Sequence, residues 1–206
     1  MLLSGNDIEH LQVAFGAMYA GIPYCPVSPA YALLSQDFAK LRHVCDLLQP
    51  GLVFVNDAAA YQRAIDAVLP AETPLISVRG EVPGRTRVSF ASLLQTPGGS
   101  AADRAFEATG PDSIAKFLFT SGSTQLPKAV ITTQRMLCAN QQMLLQTFPV
   151  FGEEPPVLVE DRKSVATMSA SCSTTVVPFT WTLASPRPRG LPRPCATSRT
   201  FRPRPI

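Results

Sequence analysis

Short apolar runs alternate with segments of helical spacing along the first 160 residues. Apolar residues recur three and four positions apart over 8–18, 38–48 and 61–69, whereas short runs typical of strands cover 22–25, 52–55 and 75–78. Alternation of this kind predicts the α/β class, with a parallel sheet covered by helices on both faces. The small, polar stretch 97–110 is expected to be a surface connection.

Charge and proline divide the chain near residue 160. Residues 1–160 hold 10 Lys and Arg against 14 Asp and Glu, a balance of −4, whereas residues 161–206 hold 8 against 1, a balance of +7. Their sum is the net charge of +3, and 7 of the 20 prolines also lie in the second region. We therefore expect a folded region over 1–159 and a disordered basic tail, rich in Pro, Ser, Thr and Arg, over 160–206.

Composition disfavours several classes of protein. The longest uncharged stretch, 11–36, contains three prolines and two glycines, so it predicts no lipid-spanning helix, and no signal peptide is visible. Basic charge confined to a tail gives only non-specific attraction, so no nucleic-acid partner is expected. Five cysteines without a C-x-x-C spacing predict small buried groups in a reducing cytoplasm. His10 and His43 are expected at the surface or near helix caps, and no metal site is assigned.

The residues best suited to chemistry lie in one loop. A strand pattern over 116–120 runs into a loop over 121–128, and a helical pattern over 132–147 follows. Small residues let backbone N–H groups turn toward an anion, hydroxyls add donors, and a lysine supplies positive charge. A Ser/Thr-rich surface turn with a solvated lysine is an equal alternative on composition alone. The candidate phosphate-binding residues are Thr120, Ser121, Gly122, Ser123, Thr124 and Lys128.

The order of these residues adds a resemblance. Thr-Ser-Gly-Ser-Thr-x-x-Pro-Lys over 120–128 resembles the phosphate loop of the adenylate-forming enzymes, the acyl-CoA synthetase and luciferase superfamily, whose pattern is T-S-G-S/T-T-G-x-P-K-G. The stretches 4–10, 26–31 and 128–143 look like the aryl branch of that superfamily, feruloyl-CoA synthases in particular. The resemblance covers essentially all of residues 1–159.

This resemblance implies the N-terminal part of the adenylate-forming fold and an ATP-dependent carboxylic acid–CoA ligase. In that family, ATP and the acid give an acyl-adenylate and pyrophosphate, and the thiol of coenzyme A then displaces AMP. The implied cofactors are ATP, Mg²⁺ and coenzyme A, the implied substrate is an aryl acid such as ferulate, and the implied location is the cytoplasm. Residues 120–124 and Lys128 would hold the β- and γ-phosphates around magnesium.

Two positions depart from the family pattern, and most of its other motifs are missing. Gln125 replaces a glycine and would be strained if that position needs a positive φ, whereas Ala129 replaces a glycine without such a cost. No catalytic residue and no metal ligand can be identified in this sequence. We therefore expect a fragment that is inactive by itself, and a non-catalytic remnant with weak phosphate binding is the alternative hypothesis.

The basic tail admits a second explanation. When codons are rebuilt from the third base of each codon and the first two bases of the next, residues 164–181 can be read as Gly-Gly-Asn-His-Val-Gly-Leu-Val-Leu-Tyr-Asn-Gly-Gly-Thr-Phe-Tyr-Leu-Asp. That string resembles the region after the phosphate loop in feruloyl-CoA synthases. The reading predicts a frameshift between Val159 and Ser164.

Overall fold

The computed structural model describes residues 1–120 and 126–153, in which strands and helices alternate as the sequence pattern predicts. The strands are β1 (Leu2–Leu3), β2 (Val53–Asp57), β3 (Leu75–Arg79), β4 (Arg87–Ser89), β5 (Ile114–Phe119) and β6 (Ala129–Thr133). The helices are α1 (Ile8–Tyr19), α2 (Ala30–Leu33), α3 (Ala39–Leu48), α4 (Ala58–Val68), α5 (Phe90–Leu94), α6 (Ser100–Ala108), α7 (Gln134–Thr147) and α8 (Val150–Glu153).

The first four strands form a parallel sheet in the order β1-β2-β3-β4. Phe54 lies opposite Leu2 on one side and opposite Ile76 on the other, and Val55 lies opposite Leu3. Because side chains alternate along a strand, this register directs Phe54 and its neighbours to one face of the sheet and Val55 to the other. All five side chains are buried.

Helices cover both faces of this sheet, as predicted. On one face, Leu3 and Val55 pack with the buried side chains of α3 and α4, among them Leu41 and Ile65. On the other face, Phe54 packs with Ala14 of α1 and Phe90 of α5, and the two aromatic rings meet edge to face at 6.0 Å. Full burial of a side chain such as Ile65 stabilises the fold by roughly 1.5–3 kcal/mol.

An extended segment joins β5 to the edge of this sheet. Pro26 lies opposite Leu2, and Tyr24 lies opposite Lys116 of β5, both as parallel bridge pairs. Backbone hydrogen bonds of 2.7–3.2 Å hold these contacts. Since each step is parallel, the carboxyl end of β5 lies at the same edge of the sheet as the carboxyl ends of β1 and β2. Within the strand expected over 22–25, only Tyr24 forms a bridge pair.

The second half of the chain contains two elements that the sequence pattern did not predict. The helix expected over 132–147 is present as α7, which begins at Gln134, but strand β6, antiparallel to β5, lies between the loop and that helix. Four of the five residues of β6 are β-branched, which favours a strand over the first turn of a helix. The stretch 97–110 contains helix α6, which packs on α1 through stacked rings of Phe106 and Tyr19 at 4.8 Å.

Burial of the cysteines follows the prediction only in part. Cys25 and Cys45 are buried, and burial raises the pKa of the Cys25 thiol to about 12 and that of the Cys45 thiol to about 11. Cys138 on α7 is exposed instead. Cys172 and Cys195 lie outside the described residues, as does the tail expected to be disordered over 160–206.

Across 1–120 and 126–153, no helix is long and apolar enough to cross a membrane.

Candidate functional site

The two ends of the predicted phosphate loop are held together. The backbone N–H of Thr120 donates to the carbonyl of Lys128 at 3.0 Å, and the backbone N–H of Lys128 donates to Oγ1 of Thr120 at 3.2 Å. These bonds continue the ladder in which Phe119 lies opposite Ala129. Thr120 and Lys128 are both exposed, so the Lys128 ammonium can meet a ligand from solvent. The loop thus closes a β-hairpin.

The structure therefore places two of the six predicted site residues. Thr120 and Lys128 lie side by side at the base of the loop. The other four, Ser121, Gly122, Ser123 and Thr124, lie outside the described residues, and so does Gln125, the position that departs from the family pattern. The predicted phosphate-binding role of all six residues stays a prediction.

The loop base lies at the edge of the sheet where ligands of α/β proteins bind. Thr120 directly follows β5, and the carboxyl ends of β1 and β2 share its edge. In open α/β sheets, ligands occupy the crevice outside the carboxyl ends of the strands. Because the loop connects two strands, the positive end of a helix dipole does not follow it directly, and a bound phosphate would depend on Lys128 and on loop N–H groups.

A histidine that the sequence offered no reason to place here contacts the loop. Nε2 of His43, on α3, lies 3.0 Å from the backbone carbonyl of Pro127. The Pro127 side chain is fully buried, whereas the next residue, Lys128, is exposed. His43 is partly buried, so its predicted surface position is only partly correct. No short-range pattern could have revealed this contact, since 84 residues separate the two partners.

Polar side chains also line the start of α1, next to β1 and β2. Ser4 Oγ and His10 Nδ1 are 2.8 Å apart and both residues are buried. Of the two positions predicted for His10, the surface is therefore wrong, and the position near a helix cap is correct, since His10 lies in the first turn of α1. Burial lowers the pKa of His10, and the Asp7 carboxylate partly opposes that shift. Nδ2 of Asn56 donates to Oδ2 of Asp7 at 2.9 Å. These bonds tie α1 to the sheet.

Lys116 lies on β5, the strand before the loop, and its environment differs sharply from that of Lys128. Its side chain is 1% exposed, and burial lowers its pKa. Within the described ranges, no ion pair or hydrogen bond of its ammonium is found. Because Lys116 is enclosed while Lys128 is exposed, Lys128 is the one of these two lysines that a phosphate can reach from solvent.

The described residues fit a phosphate better than they fit a metal by itself. An exposed ammonium and a threonine hydroxyl suit an anion. Among residues 1–120 and 126–153, no group of three His, Cys, Asp or Glu side chains could hold a metal ion. Mg²⁺ is commonly bound through one or two carboxylates together with substrate phosphates. No protein ligand for magnesium is therefore assigned in this part of the chain.

Comparison with known proteins gives a family. The sequence model described as "AMP-binding enzyme" matches residues 1–186. No curated protein matches the chain.

Solved structures with the same fold include three large enzymes. A malonyl-CoA ligase with methylmalonyl-CoA and AMP bound is 21% identical, with a TM-score of 0.50, over 74% of this chain and 27% of that one. A luciferase-like enzyme from the mealworm Zophobas morio is 22% identical, with a TM-score of 0.50, over 71% and 32%. The multidomain structure of a keto acid-selecting NRPS module, which includes an adenylation domain, is 19% identical, with a TM-score of 0.52, over 71% and 11%.

These similarities establish the fold. The described part of the chain has the architecture of the N-terminal part of the adenylate-forming fold, as the loop motif implies. The alignments span from 11% to 32% of the length of the three matched structures.

Proposed function

Because the chain belongs to the AMP-binding enzyme family, we propose that it forms the N-terminal part of an ATP-dependent ligase that adenylates a carboxylic acid. The carboxylate of the acid attacks the α-phosphorus of ATP, the bond to the β-phosphate breaks, and pyrophosphate leaves. In the second step, the thiol of coenzyme A attacks the acyl carbon and AMP leaves. This chain supplies the loop that holds the β- and γ-phosphates.

The observation that carries the proposal is the closed loop base in a chain of this family. Thr120 and Lys128 are joined by two hydrogen bonds, so the backbone of the lysine is held at the carboxyl edge of the sheet instead of lying on a free turn. From there, the exposed ammonium can reach departing pyrophosphate and offset its growing negative charge. Ser121, Gly122, Ser123 and Thr124 add N–H and hydroxyl donors in this proposal, and ATP is bound together with Mg²⁺.

Titration of MgATP into the purified chain tests the loop. Lys128→Ala should weaken binding by about tenfold or more, because a hydrogen bond to a charged group contributes roughly 1.5–3 kcal/mol. Lys40→Ala is the matched control, since it removes an exposed lysine whose ammonium lies over the Tyr31 ring, 5.6 Å from its centroid. Equal binding by wild type and Lys128→Ala would contradict the assignment.

We further propose an aryl acid such as ferulate as the substrate, coenzyme A as the acceptor and the cytoplasm as the location. The support is the resemblance of residues 4–10, 26–31 and 128–143 to feruloyl-CoA synthases. The decisive assay compares ferulate with aliphatic acids of similar size, using a gene product that carries the complete family domain. Equal rates of thioester formation with both classes of acid would remove the aryl assignment.

The chain by itself should not form feruloyl-CoA from ferulate, ATP and coenzyme A. The hypothesis that supports this expectation is a frameshift between Val159 and Ser164, which would leave 160–206 as a misread tail. Against this hypothesis, the family match continues past that point to residue 186. Sequencing the gene across codons 155–170 and onward decides the matter, because an alternate frame that stops within a few dozen codons rules the frameshift out.

A non-catalytic remnant is the second candidate. Its support is Gln125, which stands where the phosphate-loop pattern of the family has glycine. The two candidates separate in one pair of measurements. A remnant binds MgATP weakly and forms no thioester even from the alternate-frame gene product, whereas a ligase gene yields an active product once the frame is restored.

A further inference from the structure

We infer that His43 is a positioning residue for Lys128, acting through the backbone carbonyl of Pro127; its effect on ligand binding rests on the function proposed above. The contact is a single hydrogen bond of 3.0 Å between Nε2 of His43 and that carbonyl. It links helix α3, on the main sheet, to the residue directly before the candidate phosphate ligand.

The chemistry of the two partners fixes the direction of this bond. A backbone carbonyl only accepts, so Nε2 of His43 carries the hydrogen and donates. The neutral ring with hydrogen on Nε2 and the doubly protonated ring can both make this bond. The contact therefore persists whichever charge state His43 adopts, and any residue with an N–H donor at the same reach can replace it.

The surroundings make this bond a fixed link. On α3, the neighbours Leu41, Val44 and Cys45 are buried against the main sheet, so the helix cannot shift without disturbing the core. Pro127 is itself fully buried, and its ring fixes φ. A rigid helix thus holds the carbonyl of a rigid residue.

The position of Lys128 follows from this link. Lys128 is bonded to Pro127 on one side and, through its own backbone N–H and carbonyl, to Thr120 on the other. The hairpin ladder fixes the spacing between the two ends of the loop. The His43 contact adds a tie to the helical layer, which fixes where both ends lie relative to α3.

Three variants separate hydrogen bonding from packing. His43→Leu removes the donor and keeps much of the volume, whereas His43→Gln keeps an N–H donor. Arg42→Leu is the matched control, because Arg42 is an exposed neighbour on the same helix without a described contact to the loop. The amides of Phe54 and Ile76, in the centre of the main sheet, report whether a variant remains folded.

The first readout is residue-resolved hydrogen exchange of the Thr120 and Lys128 amides, which needs no ligand. Loss of one hydrogen bond predicts exchange about threefold to tenfold faster in His43→Leu, and rates within twofold of wild type in His43→Gln and Arg42→Leu. Unchanged exchange at both amides in His43→Leu would overturn the inference. So would equal acceleration in His43→Leu and His43→Gln.

The second readout is MgATP affinity of the full chain. His43→Leu should weaken binding by about threefold to tenfold, His43→Gln should restore it, and His43→Leu should add nothing in the Lys128→Ala background. Additive effects of the two substitutions would overturn the role through Lys128. If hydrogen exchange changes as expected but the wild type binds no MgATP, the positioning role of His43 is upheld and the proposed nucleotide function fails.

Discussion

The main parallel sheet and the β5–β6 hairpin contain the same kinds of residue in opposite environments. Phe54 of β2 is 1% exposed and Ile76 of β3 is 5% exposed, whereas Val130 and Ile131 of β6 are 47% and 52% exposed. None of the described side chains of α7, the helix after β6, is fully buried. Similar apolar, β-branched residues therefore form strands in both places, but their burial depends on which layers pack against the strand.

The largest expected effect is a loss of stability from a substitution in the buried main sheet. Phe54→Ala removes a ring enclosed between the sheet, α1 and Phe90, so it should lower the free energy of unfolding by about 3–5 kcal/mol. Urea denaturation followed by circular dichroism measures the loss.

Phe106→Ala is the control for this substitution, because Phe106 is exposed and contacts α1 through its stacked ring. We expect it to cost about 0.5–1.5 kcal/mol. Similar losses in the two variants would mean that the core does not lie where the structure places it.

The sequence predicted most of the buried region and less of the site. Val53–Val55 and the helix after it were recognisable because a fully buried strand is apolar throughout and a packed helix carries a periodic stripe. Strand β6 was missed because its apolar run covers only the three residues 129–131 and the strand directly precedes a helix. Helix α6 was missed because its support, the Tyr19 ring, lies far away in sequence.

The loop illustrates the same limit at the functional site. Residue order alone singled out Thr120 and Lys128, because a phosphate motif is local. The contact of His43 with Pro127 is non-local, and burial of a proline beside an exposed lysine is decided by packing. Local sequence thus predicted the candidate ligands, and only the fold revealed what holds them.

A prediction of intermediate size compares the N-terminal caps of α4, beside the main sheet, and α7, beside the hairpin. Asp57 accepts from the Ala60 N–H at 3.3 Å at the start of α4, and Thr133 accepts from the Met136 N–H at 3.4 Å at the start of α7. The hydrogen bond from Arg79, followed by that from Ala60, lowers the pKa of Asp57. Ionised Asp57 therefore favours the folded state, whereas a threonine cap does not titrate.

In an Asp112→Asn background, which removes the titratable partner of Arg135 in the first turn of α7, acid should consequently loosen α4 before α7. The contribution of Asp57 is complete above its unfolded pKa of about 3.9 and is lost as the pH falls through its lower folded pKa. Amide chemical shifts of Ala60 and Met136 between pH 5 and pH 2 follow the two caps. Asp57→Asn should abolish the response at Ala60, and a parallel response at Met136 would contradict the comparison.

The smallest expected effect is that of a substitution on the exposed strand β6. Ile131→Thr keeps the β-branched shape on a strand where about half of the side chain already meets water, so unfolding free energy should change by less than about 0.5 kcal/mol. Ile76→Thr makes the same change in the buried sheet and should cost about 2 kcal/mol or more, because a hydroxyl enters an apolar layer. Exposed apolar edge strands promote association, so Ile131→Thr should also slow concentration-dependent aggregation, measured by light scattering. A loss of stability in Ile131→Thr as large as that in Ile76→Thr would show that β6 is covered in solution. Unchanged aggregation of Ile131→Thr would mean that another exposed surface drives association, such as Met136 and Met143 on α7.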